Sequence, residues 1–133
     1  DRFALLPIKE VLKAISEVGG IPSIHICGKT SPLLERMVDA GARIIELDYQ
    51  VDLAFAKNKI GKKVCIEGNV DPVSVLLNGK PNDVKREARE CIKKAAKDGG
   101  FILSSGCEVP LNAPFENIRA MVSAAKKYGQ YPM

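Results

Sequence analysis

The sequence is short of the features that mark several functional classes. It has no apolar run near the ~20 residues that span a bilayer, so no membrane segment is expected. It has no G-x-G-x-x-G, which leaves a Rossmann cofactor site without support. Closely spaced Cys-x-x-Cys pairs are missing, and with them the signature of a structural zinc site. Aromatic residues are few and not interleaved with a basic stripe, which argues against a nucleic-acid partner. The opening stretch, Asp1 to Pro7, lacks the basic region and long apolar core of a signal peptide. Histidine is reduced to one residue, His25, so any imidazole chemistry must use it.

What remains is the composition of one α/β domain. The chain has 133 residues, 46% of them hydrophobic, enough for a core, and a formal net charge of +4. The lysines gather as Lys57, Lys59, Lys62 and Lys63, then Lys93, Lys94 and Lys97, then Lys126 and Lys127. These groups fall near predicted helix C-termini, where cations favour the macrodipole. The four cysteines do not demand a disulfide framework, and with metal-like placement they suggest a reducing, cytoplasmic setting. Cys65 and Cys91 read as packing residues, the first in a strand and the second on a helix.

The punctuation is repetitive. Predicted helices cover Pro7 to Val18, Pro32 to Ala40, Val51 to Lys59, Pro72 to Leu77, Val84 to Lys97 and Pro114 to Lys127. Glycines at 19–20, 41, 61, 79 and 99–100 follow them as left-handed caps. Ser31-Pro32 and Asp71-Pro72 read as N-caps followed by first-turn prolines. Four apolar runs lie between: Ile21 to Ile26, Arg43 to Leu47, Lys63 to Ile66 and Phe101 to Leu103. Their isoleucine and valine content, with little alternation, suits parallel strands. The order is a helix followed by four βα units joined by right-handed crossovers. Four parallel strands also fit a small doubly wound sheet. Polar residues crowd the predicted strand ends, however, at Asp48, at Glu67 and Asn69, and at Glu108. That crowding suits the rim of a (β/α)₈ barrel, of which this would be half. The chain does not begin with methionine, which agrees with a single-domain piece, 1–133, of a larger barrel. A half barrel exposes two sheet edges, which the remaining strands or a second copy would have to cover.

The candidate site lies on the same rim. His25 and Cys27 stand at i and i+2 near the end of the first strand and project to one side. Cys107 follows the last strand. Two thiols and one imidazole meeting at one mouth would give a metal three ligands and leave a fourth position open, as in catalytic zinc. The competing reading makes them a core histidine and two small hydrophobes. Asp48 reads equally as a cap for the helix near Val51 or as a rim carboxylate that orients a ligand. Glu67 carries the same two readings, and Gly68 beside it suggests a positive φ. Gly28-Lys29-Thr30 resembles the end of a phosphate-binding loop, but Ser23 stands where that loop needs glycine.

Taken in order, His25-Ile-Cys-Gly-Lys-Thr30, Ile45-Glu-Leu-Asp48, Glu67-Gly-Asn-Val-Asp-Pro72 and Phe101-Ile-Leu-Ser-Ser-Gly-Cys-Glu108 resemble the uroporphyrinogen decarboxylase superfamily. Within it they are similar to the corrinoid-dependent methyltransferase branch, such as the methylcobamide:coenzyme M methyltransferases. The resemblance runs from about Pro7 to Tyr128. It implies the C-terminal half of a (β/α)₈ TIM-type barrel, with four sequential parallel strands and outer helices. It also implies Zn²⁺ on His25, Cys27 and Cys107, and a thiol such as coenzyme M as acceptor. The methyl donor would be a methylcobamide carried by a separate corrinoid protein. On this reading Asp48 and Glu67 are the catalytic carboxylates, and Asn69 and Glu108 contact substrate. Two alternatives remain: a metal-independent tetrapyrrole enzyme resembling the decarboxylases, and a non-catalytic interaction module.

Overall fold

A computed structural model describes residues 3–131. Four strands, β1 (Ser23–Ile26), β2 (Ile44–Leu47), β3 (Cys65–Val70) and β4 (Phe101–Ser105), form one sheet in the order β1-β2-β3-β4. Every neighbouring pair is parallel. This sequential order, with a helical crossover between successive strands, is that of half a (β/α)₈ barrel. It is not the reversing order of a doubly wound sheet. The helices are α1 (Leu5–Glu17), α2 (Leu34–Asp39), α3 (Leu53–Ile60), α4 (Pro81–Ala95) and α5 (Phe115–Tyr128).

Local chemistry explains most boundaries. Pro7 sits in the first turn of α1, where its missing N–H has no intrahelical partner to lose. The Asp52 carboxylate accepts the Phe55 N–H at 2.8 Å and starts α3. Asp71 accepts the N–H groups of Val73 and Ser74, both at 2.8 Å. It caps a single wide π-type turn, Pro72–Leu77, as Asp71-Pro72 predicts. α4 begins three residues before the apolar pattern. Its first turn, Pro81-Asn82-Asp83, is polar and invisible to periodicity, yet the Lys80 N–H donates to the Asp83 carboxylate at 3.1 Å.

Three expectations need correction. β3 runs on through Glu67, Gly68 and Asn69 to Val70 and pairs with β4 along that length, so those polar residues lie within the strand. Ser31 does not cap α2; a short 3₁₀ turn, Ser31–Leu33, precedes it with no side-chain cap. Gly61 ends α3 at a φ of −64°, and neither Gly20 nor Gly79 has a positive φ, so none of the three is a left-handed cap.

The two faces of the sheet differ. Ile45, Leu47, Ile66 and Val70 are buried together with Leu34, Leu53, Leu76, Val84 and Ala88 from the helical segments. Each valine, leucine or isoleucine among them contributes roughly 1.5–3 kcal/mol by leaving water. On the opposite face, His25, Glu46, Glu67 and Ile102 stand side by side in strand register. This is the concave, barrel-interior face, and it carries the candidate chemistry. No helix among the described residues is long and apolar enough to cross a membrane.

Candidate metal centre

His25, the third residue of β1, turns its Nε2 toward Cys27, 3.2 Å from the sulfur. Cys27 follows the strand directly, and its Sγ lies 3.7 Å from that of Cys107. All three donor atoms fall within 4.8 Å of one another. At 3.7 Å the two sulfurs are too far apart for a disulfide and close enough to share a cation. Tetrahedral zinc with bonds of about 2.3 Å to sulfur sets two sulfurs about 3.8 Å apart. The donor set and its spacing therefore fit such an ion.

The other face of the imidazole is also engaged. His25 Nδ1 lies 3.3 Å from the Glu46 carbonyl oxygen and 3.7 Å from the Glu46 carboxylate. That leaves Nε2 as the nitrogen facing the two thiols. The Cys27 thiol is pushed above its ordinary pKa, first by its hydrogen bond and charge repulsion with Cys107, with smaller contributions from slight desolvation and the Asp48 carboxylate. Two neighbouring thiols oppose each other's ionisation unless a cation sits between them.

Cys107 reaches this place by an unexpected route. It follows β4, three strands away from β1, so the β4–α5 loop must cross the ends of β3 and β2. Gly106 provides the crossing. Its N–H donates to the Val70 carbonyl at 2.7 Å, and its carbonyl accepts the Tyr49 N–H at 3.2 Å. A Cβ on Gly106 would lie 2.4 Å from the Tyr49 nitrogen, so only glycine fits.

The remaining predicted residues divide by environment. Asp48 is buried, and its oxygens accept the N–H groups of Gly28 and Gln50, each at 2.8 Å. The expected cap of the following helix is Asp52 instead. Asn69 is buried, its amide donating to the carbonyls of Asp48 at 3.0 Å and Val51 at 2.7 Å. Glu67 lies on the concave face. Partial burial and then the nearby Glu46 carboxylate raise its pKa, against a hydrogen bond from Ser104. Glu108 is exposed, one residue past Cys107. Glu46, Gly106 and Ser104 were not singled out in the sequence. Glu46 leaves one trace, a lone charge inside the apolar strand Ile44-Ile45-Glu46-Leu47, aligned with His25.

Comparison with known proteins bears on the family and the fold. The family model for uroporphyrinogen decarboxylase (URO-D) matches residues 1–128. The methylcobamide:CoM methyltransferase MtbA of Methanosarcina acetivorans is 35% identical over 128 residues, covering 96% of this chain and 36% of that protein. A uroporphyrinogen decarboxylase of Synechocystis is 32% identical over 131 residues, covering 98% of this chain and 37% of its own length. A solved methyltransferase from Methanosarcina mazei superposes with a TM-score of 0.83 at 27% identity, over 97% of this chain and 36% of that one. The chain thus spans little more than a third of the length of the proteins it matches.

Proposed function

The chain belongs to the uroporphyrinogen decarboxylase family, and within that family we propose that it is the zinc-bearing part of a methyltransferase. The reaction would move a methyl group from a methylated corrinoid, delivered by a separate corrinoid protein, to a small thiol such as coenzyme M. The observation that carries this reading is the meeting of His25, Cys27 and Cys107 at one end of the sheet. Similarity to a methylcobamide:CoM methyltransferase supports it.

His25 Nε2 and the two cysteine sulfurs would hold the ion, with Glu46 fixing the imidazole from behind. Bound there, zinc would favour the thiolate form of a substrate thiol and so supply a nucleophile near neutral pH. Glu67 faces the same concavity with its pKa raised, which suits its carboxylate to hold the proton that the thiol gives up. Glu108, which is exposed, would meet a substrate or docking partner at the rim. Asn69 acts on the site through the loop it braces, from Asp48 to Val51. The rest of a full barrel would supply the opposite wall and the surface on which the corrinoid protein docks.

A second reading, a metal-independent tetrapyrrole enzyme, draws on the similarity to uroporphyrinogen decarboxylases. Elemental analysis of a full barrel containing this chain separates the two. The methyltransferase reading expects one zinc per chain, lost in Cys107→Ala; a metal-free wild-type enzyme would favour the decarboxylase reading.

A further inference from the structure

We propose that the dipeptide Asp48-Tyr49, at the end of β2, is a clamp that sets the spacing between the Cys27 and Cys107 thiols. It makes Asp48 a positioning residue and Gly106 an obligatory glycine. The inference rests on reading His25, Cys27 and Cys107 as one ligand set. Its dithiol part can also be tested without metal.

The clamp answers a geometric problem. Three strand-to-strand steps of about 4.8 Å separate β1 from β4, roughly 14 Å along a flat sheet. Curvature shortens that distance, yet each thiol lies on a loop whose own strand does not touch the other. The sulfurs nevertheless approach to 3.7 Å. The hydrogen-bonded path between them is short and runs through β2. Gly28, next to Cys27, donates its N–H to the Asp48 carboxylate at 2.8 Å. Tyr49, next to Asp48, donates its N–H to the carbonyl of Gly106 at 3.2 Å, and Gly106 adjoins Cys107. Each thiol is therefore one residue from a group held by the same dipeptide.

The chemistry of the parts suits holding rather than reacting. Asp48 is only 3% exposed, and its two oxygens are taken by the N–H groups of Gly28 and Gln50. Hydrogen bonds to a charged acceptor are shorter and stronger than neutral ones, and they offset the cost of burying the charge. The clamp is stiffened from below, because the Asn69 amide grips the carbonyls of Asp48 and Val51. On the other side, Gly106 comes so close to Tyr49 that any side chain would push the Cys107 loop away.

The test uses the whole chain, stripped of metal, and two probes. Phenylarsine oxide captures a close dithiol by forming two As–S bonds and releasing water, with no change of oxidation state. Zinc affinity is read in parallel by competition with a chromogenic chelator. Wild-type protein is expected to bind one equivalent of each, and Cys107→Ala neither. Asp48→Asn, which keeps one acceptor oxygen, and Gly106→Ala should each weaken both probes by about 10- to 100-fold. Asp48→Ala should weaken them further. Ile45→Val, a core change, calibrates the effect of lost stability alone. Wild-type affinities in Asp48→Ala and Gly106→Ala would overturn the clamp. So would losses explained by the folded fraction in the Ile45→Val calibration, or failure of the wild-type chain to capture the arsenical. Capture of the arsenical without zinc binding, with both clamp variants impaired, would keep the clamp and remove the zinc reading.

Discussion

The Glu46 carboxylate lies 3.7 Å from His25 Nδ1, on the side of the ring opposite the two thiols. The Glu46 carbonyl oxygen is nearer still to the same nitrogen, at 3.3 Å. A histidine whose Nδ1 faces a carbonyl and a carboxylate is oriented to offer Nε2 to a metal. Removing the carboxylate leaves the carbonyl in place, so the loss should be partial. Glu46→Gln and Glu46→Ala are expected to lower zinc affinity by about 10-fold, toward the weaker end for such supporting groups. Chelator competition measures it, and unchanged affinity in Glu46→Ala would assign the orientation of His25 to the backbone alone.

Glu67 gives a dependence on pH. Burial and the Glu46 carboxylate raise its pKa in the folded chain above the ordinary glutamate value. The folded state then binds the proton more tightly than the unfolded state, so this stabilisation is present at low pH. It is lost as pH rises from the unfolded value through the raised one. Glu67→Gln removes that loss. Melting temperatures recorded across the weakly acidic range should fall less with rising pH in the variant than in the wild type. Parallel curves would mean that Glu67 titrates alike in both states.

Gly68 tests the backbone beneath the site. Its φ is +131°, and a Cβ there would lie 2.8 Å from the Leu47 carbonyl oxygen. Gly68→Ala is expected to cost on the order of 1–3 kcal/mol in chemical denaturation, through strain and a forced shift of β3 against β2. A cost below about 0.5 kcal/mol, the range of neutral surface changes, would show that the two strands give way easily.

These residues mark how far the sequence could be read. The strand order and the His25–Cys27 pair follow from period-2 geometry and βα spacing, which local patterns encode. Gly68 with its positive φ and Asp71 as a cap were legible for the same reason. The continuation of β3 was not, because Glu67, Gly68 and Asn69 carry loop-like composition, while their pairing with β4 is a tertiary fact. Gly106 and Tyr49 were hidden more deeply. Their significance exists only when two loops, separated by more than fifty residues of chain, pass within hydrogen-bonding distance. Glu46 lay between these cases, its charge visible in an apolar strand but its partner known only from register.

Substituting the cysteines separates the proposed ligands from the other two thiols. Cys27→Ala or Cys107→Ala in the full barrel should abolish methyl transfer and metal binding together, since each removes one of three donors. Cys65 and Cys91 stand apart from the cluster, and burial raises the pKa of both thiols. Cys65→Ala should leave rate and zinc content nearly intact. A matching loss in that variant would place the metal elsewhere.

Zinc on His25, Cys27 and Cys107 is proposed to activate a thiol for methylation. The most direct test is the rate of methyl transfer from methylcobalamin to coenzyme M by the full barrel enzyme containing this chain. The rate is measured before zinc removal, after it, and after adding zinc back. Transfer is expected to collapse with the metal and to return as one equivalent of zinc is restored. An undiminished rate in the zinc-free enzyme would contradict it.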